Sequence, residues 1–212
     1  MEIGKFKKAF RLFIIGQFFL LIGTINIGAD FKVLPYWLSY FIVASLFGFV
    51  LILIATIKLY KVNKNYLRTL IALSIYLVIS ILADTCAHSK DDFYLIWSSH
   101  LAISADFILC ILYVCFLLGT SDYLKEDNIN QGNRKSKIGA LVLVIIFIIE
   151  RLLAFAASLN PVRLNVVAYS ICKFGAWGLE FVIDAYVFAI LVAIYYLIKK
   201  KEKEAITDEK AE

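Results

Sequence analysis

Proline, histidine and clustered cysteine are all scarce in this chain of 212 residues. Each shortage removes a class of chemistry. There are two histidines, His88 and His100. A zinc site commonly takes about three or four protein ligands. Asp84 and His88 stand one helical turn apart, with His100 across a short turn, but the set is too small to make metal or any other cofactor the expectation. The paired HxxxH of membrane hydrolases is also absent. The four cysteines, Cys86, Cys110, Cys115 and Cys172, lie inside apolar runs without CxxC spacing. They read as small packing residues. Cys86 and Cys172 fall in the same half of the membrane, which allows a disulfide. A Cys–His dyad has no local group to activate a thiolate. An intramembrane enzyme built on Asp84, His88 and His100 is therefore the least favoured reading, and no catalytic residue is assigned.

The two prolines, Pro35 and Pro161, both fall in expected turns. Alternating-access transporters often carry helices interrupted by glycine or proline at the binding site. Here only Gly175 and Gly178, around Trp177, bracket polar groups, so the helices read as uninterrupted. No nucleic-acid motif, no repeat between the two halves and no loop long enough for a folded domain is visible. Direct nucleic-acid binding is not expected.

Long apolar runs are abundant. The chain is 62% hydrophobic with a mean hydropathy of +0.82. A soluble domain of this length is not so apolar. The fold class read from this is all-α, a polytopic bundle of six transmembrane helices forming one domain over residues 1–198, with a charged tail over 199–212. The expected spans are 12–29, 36–57, 69–87, 93–118, 138–159 and 165–198. A cleaved signal peptide is the rival reading of the first run, but it is long and lacks a clean small-x-small site. Gly16 and Gly23 on span one, and Ala44 and Gly48 on span two, are small-residue pairs that permit close helix approach. Span two has no charge and suits a lipid-facing position. Tyr36, Trp37 and Tyr40 fit an interfacial aromatic belt.

Seventeen of the 22 Lys and Arg residues lie before span one, in the second and fourth connections, or in the tail. Three lie in the other connections, namely Lys32, Lys90 and Arg163. The positive-inside rule then places both termini in the cytoplasm. Residues 119–137 read as the longest, polar, cytoplasmic loop. The last apolar run, 165–198, would reach about 51 Å at 1.5 Å per residue, against a hydrocarbon core of about 30 Å. It is expected to project from the cytoplasmic face.

That run also carries charge. Lys173, Trp177, Glu180 and Asp184 recur at helical spacing on one face. Ionisable groups cost several kcal/mol in hydrocarbon, so the face should turn inward. Other spans bury Asp84, Asp106, Glu150 and Arg151. The expected intramembrane polar core is thus Asp84, Asp106, Glu150, Arg151, Lys173, Glu180 and Asp184, with His88, His100 and Arg163 toward the outer face. Acids outnumber bases, so either some carboxylates stay protonated or the core admits water or cations. The competing reading is a network of ion pairs that sets helix register, Glu180 with Arg151 for example.

Two functions follow as expectations. The first is a non-enzymatic sensor, anchor or scaffold in a bacterial plasma membrane. It would be homo-oligomeric and act on a cytoplasmic protein partner through residues 119–137 and 199–212. The richness in Ile, Phe, Tyr, Lys and Asn, amino acids of AT-rich codons, hints at an immunity or phage-defence setting. The second is a small cation or proton channel or transporter using the acidic core.

Overall fold

The computed structural model describes residues 3–27, 38–88, 92–158 and 166–209. Among them the secondary structure is helical throughout. The helices are α1 (Ile3–Ile27), α2 (Leu38–Leu59), α3 (Lys64–Ala87), α4 (Asp92–Glu126), α5 (Asn130–Ser158) and α6 (Val166–Glu209). Four of them, α3 to α6, are long and apolar enough to cross a membrane, and α2 adds a shorter apolar stretch, Ala44–Leu59. Their outward faces carry large apolar side chains, including Val50, Ile81, Ile111, Leu141, Leu152 and Ile171. A soluble surface does not tolerate so much continuous apolar area, whereas lipid does.

Neighbours in space follow chain order. Each helix packs on the next, and α6 packs back on α1, which closes the ring. Lys7 pairs with Glu202, and Gln17 bonds Asp184, so α1 and α6 run antiparallel. One end of the molecule therefore gathers the start of α1, the α2–α3 and α4–α5 turns and the last turns of α6. Most of the Lys and Arg residues belong to it, and it is called the basic end below.

Several expectations are corrected here. The first helix begins well before the expected span at residue 12 and takes in the basic segment. α1 begins at Ile3, and Phe6, Phe10, Phe13, Gln17 and Leu20 form one buried stripe at spacings of three and four. Residues 119–137 are not a loop. α4 continues to Glu126, α5 starts at Asn130, and the turn between them is three residues long. Asn128 takes a left-handed backbone (φ 57°) there, a conformation asparagine tolerates at a helix end. The Ile129 amide then closes on the Leu124 carbonyl at 2.8 Å. The polar residues meant for a loop instead stitch the helices together: the Ser121 hydroxyl donates to Asn133 at 2.6 Å and the Ser136 hydroxyl to the Leu117 carbonyl. Residues 199–209 continue α6 rather than forming a separate tail. At 44 residues α6 reaches about 66 Å, longer than a bilayer core requires.

The α2–α3 turn is set by Asn63. Its side-chain oxygen accepts from the amides of Asn65 and Tyr66, capping α3. Its Nδ2 donates to the Gly119 carbonyl of α4 at 2.8 Å. Gly16 and Gly48 mark the closest crossing of α1 and α2. A Cβ on either would lie 2.7 Å from the other's carbonyl oxygen. Gly23, the second glycine of the expected stripe, lies outside the described side chains.

Toward the basic end the ring is filled by aromatic rings. Phe6 stacks on Tyr123 (centroids 3.7 Å apart), Phe13 stacks on Phe116 (3.5 Å), and Tyr66 meets Phe116 edge-on (5.4 Å). These side chains are buried, and the Tyr66 hydroxyl finds Thr120 Oγ1 at 3.0 Å. Dense aromatic packing fills the space between the helices at this level.

Candidate functional site: an acidic cavity at the helix ring's centre

Above the aromatic layer the ring opens into a cavity of about 170 Å³. All six helices contribute to its wall: Leu20 from α1, Ser45 and Phe49 from α2, Tyr76 from α3, Asp106 and Tyr113 from α4, Glu150 and Arg151 from α5, Glu180 and Asp184 from α6. At about 30 Å³ per water, the space holds about five or six waters.

The wall carries four carboxylates and one guanidinium. Arg151 serves two of the carboxylates. Its Nη1 donates to Asp106 Oδ2 at 2.8 Å, and its Nη2 donates to Glu150 Oε1 at 2.6 Å while Nε reaches the other Glu150 oxygen. This forked geometry suits arginine and holds both acids at once. Phe147 lies under the guanidinium, 5.4 Å from ring centroid to Cζ. Asp184 is held differently. Its Oδ1 accepts from the Tyr113 hydroxyl at 3.1 Å and from Gln17 Nε2 at 3.2 Å. The other side-chain atom of that amide, Gln17 Oε1, is buried without a hydrogen-bond partner. Glu180 lines the same cavity and makes no hydrogen bond or ion pair among the described residues. The ion-pair network of the competing reading therefore uses Arg151 with Asp106 and Glu150 rather than the exemplified pair with Glu180. Arg151 turns to Asp106 and Glu150 because both lie within reach of its fork.

Of the expected polar core, Asp106, Glu150, Arg151, Glu180 and Asp184 meet at this cavity. Asp84 and Lys173 do not. Both are exposed. Lys173 stands two turns before Glu180 on α6 and lies off the cavity wall. The Trp177 side chain and Arg163 lie outside the described residues. His88 and His100 are exposed as well. His88 Nδ1 stands 2.8 Å from the Asp84 backbone oxygen and 3.6 Å from its carboxylate, both side chains being nearly four-fifths exposed. Among the described residues no three His, Cys, Asp or Glu side chains cluster as metal ligands. All four cysteines are free thiols.

Tyr113, Gln17, Tyr76 and Ser45 were not singled out as site residues from the sequence. Gln17 stood beside the expected glycine stripe of α1, a polar residue in an apolar run, and that was its only signal. Tyr113 had none, since a tyrosine inside an apolar run resembles any other core aromatic.

A second, shallower cavity of about 420 Å³ runs between α3 and α4. It is lined by Tyr76, Ser80, Ala83, Asp84, Ser99, Ala102 and Asp106, among others. Tyr76 and Asp106 border both cavities.

No protein-family model, no curated protein and no solved structure matches this chain.

Proposed function

We propose that the chain is a multi-pass membrane protein with six spans and both termini in the cytoplasm, and that its central cavity takes up a small cation or protons. The gathering of basic residues at one end, with both ends of the chain beside them, supports that orientation. The cation reading is carried by one observation. The cavity wall holds three more carboxylates than cations, and Glu180 among them makes no hydrogen bond or ion pair among the described residues. A purely structural network would pair its charges, because an unpaired carboxylate in a low-dielectric site is costly. The aromatic layer beneath favours a carrier, open to one side at a time, over an open pore. The experiment is uptake into proteoliposomes under an imposed cation or proton gradient, comparing native protein with Glu180→Gln. Equal flux in both, or none in either, would sink the reading.

A sensor acting through a cytoplasmic partner is the second reading, favoured by α6. That helix runs without a break from Glu180 and Asp184 at the cavity to Glu209, past the Lys7–Glu202 pair. Movement at the cavity would be carried rigidly to its end. Capture of a partner by the native protein, lost on truncation after Lys201, would support this reading. Setting such a sensor in bacterial immunity rests on composition alone. The enzyme reading ranks last, since His88 and His100 stand apart from the cavity and activity surviving His88→Ala with His100→Ala would dispose of it.

A further inference from the structure

The groove between α3 and α4 lies toward the end of the molecule away from the α2–α3 and α4–α5 turns, and Tyr76 and Asp106 border both it and the central cavity. Its walls carry small side chains, Ala83, Ala102 and Ser99 among them, so no large residue of α3 or α4 roofs it at those positions. The serine hydroxyls and the carboxylates can hydrogen-bond water, as a hydrated passage requires. Asp84 stands exposed near the mouth and Asp106 at the inner end, and among the described residues no Lys or Arg lines the groove. A low-dielectric cleft with charge of one sign concentrates ions of the other sign. The geometry points to this groove as the route by which water and small cations reach the central cavity from that side, with Asp106 at the junction.

The route rests on the cation reading of the cavity but goes beyond it and fails separately. Cys110 makes the test direct. It lies one helical turn past Asp106 on α4 and lines the central cavity. In protein carrying Cys86→Ala, Cys115→Ala and Cys172→Ala, Cys110 is the one remaining thiol. The probes are membrane-impermeant methanethiosulfonates, one cationic (trimethylammonioethyl) and one anionic (sulfonatoethyl), added to oriented proteoliposomes from the side away from the basic end.

The cationic probe should label Cys110, about tenfold faster than the anionic one. Ala102→Trp, which fills the groove, should slow labelling by a similar factor. Ile103→Trp, on the neighbouring exposed face, should leave it unchanged. A Cys110 that reacts only after denaturation, equal rates for the two probes, or Ala102→Trp without effect would each overturn the route. If Ala102→Trp does not fold, Ser99→Cys in the background that also carries Cys110→Ala reports on the groove itself, and silence there overturns the route equally. Labelling without cation flux would remove the cation reading and leave the route. Flux with a silent Cys110 would remove the route alone.

Discussion

Arg151 on α5 bridges to Asp106 on α4, Nη1 to Oδ2 at 2.8 Å, while the rest of its guanidinium grips its own neighbour Glu150. One cation thus ties two helices together at the level of the cavity. Glu150 is 3% exposed, so it depends on that cation. Replacing Arg151 with methionine keeps the bulk and leaves two carboxylates without a counter-charge. Breaking a buried pair from one side costs about 3–5 kcal/mol. Arg151→Met should therefore show a large loss of thermal stability in mild detergent. Arg151→Lys should recover little of it, because an ammonium cannot reproduce the fork.

Glu180 should behave in the opposite way. With no hydrogen bond or ion pair among the described residues to lose, and an unpaired charge removed, Glu180→Gln is expected to melt no lower than the native protein. It should nevertheless lose cation uptake. Asp184→Leu separates the two kinds of role, because it orphans the Tyr113 hydroxyl and the Gln17 amide. Leaving buried donors unsatisfied costs about 1–3 kcal/mol each. A Glu180→Gln protein that unfolds early would show that Glu180 is structural.

The α1–α2 crossing offers a test of packing alone. Gly16→Ala places a Cβ 2.7 Å from the Gly48 carbonyl, and Gly48→Ala does the same to Gly16. Backbone cannot yield as a side chain can, so each should destabilise by about 1–3 kcal/mol. Gly178→Ala on α6 meets nothing within 4 Å. It should be neutral or stabilising by about 0.5–1 kcal/mol, the helical preference of alanine over glycine. Thermal melting of the three variants, side by side, decides whether the close approach is real.

The two ends of the chain should differ in importance. Phe6 is fully buried and stacked on Tyr123. Phe6→Ala should cost about 3–5 kcal/mol, although it lies in the basic segment before the first expected span. Truncation after Lys201 removes Glu202 and its pair with Lys7, whose side chains are each 24% exposed. Ion pairs that still reach solvent in this way contribute about 1 kcal/mol. Stability and cation uptake should survive this truncation. Loss of uptake would instead tie the end of α6 to the cavity's function.

Much of the candidate site was legible because charge in an apolar run is rare. Asp106, Glu150, Arg151, Glu180 and Asp184 stand out against their neighbours, and helical spacing alone puts Glu180 and Asp184 on one face. Asp84 and Lys173 stand out in the same way, yet the structure leaves both exposed. Hydropathy registers that a residue is out of place but not which way its helix is turned. Gln17 and Tyr113 escape it for the converse reason: each joins the candidate site through its hydrogen bond to Asp184 on another helix.

The sequence by itself determined that this chain is helical, apolar enough for a membrane and basic at particular helix ends, since these depend on composition and on local spacing. Tertiary structure alone decided where the helices stop and how they are rotated. Asn63 and Asn128 end helices through caps and backbone geometry that hydropathy does not see, so residues 119–137 close into a tight turn between two long helices. The contact of Gly16 with Gly48, and the choice of Arg151 for Asp106 over Glu180, depend on distances between segments remote in the chain. Those distances set which carboxylates are held, leave Glu180 without a hydrogen bond or ion pair among the described residues, and place Tyr76 and Asp106 on the walls of both the central cavity and the groove beside it.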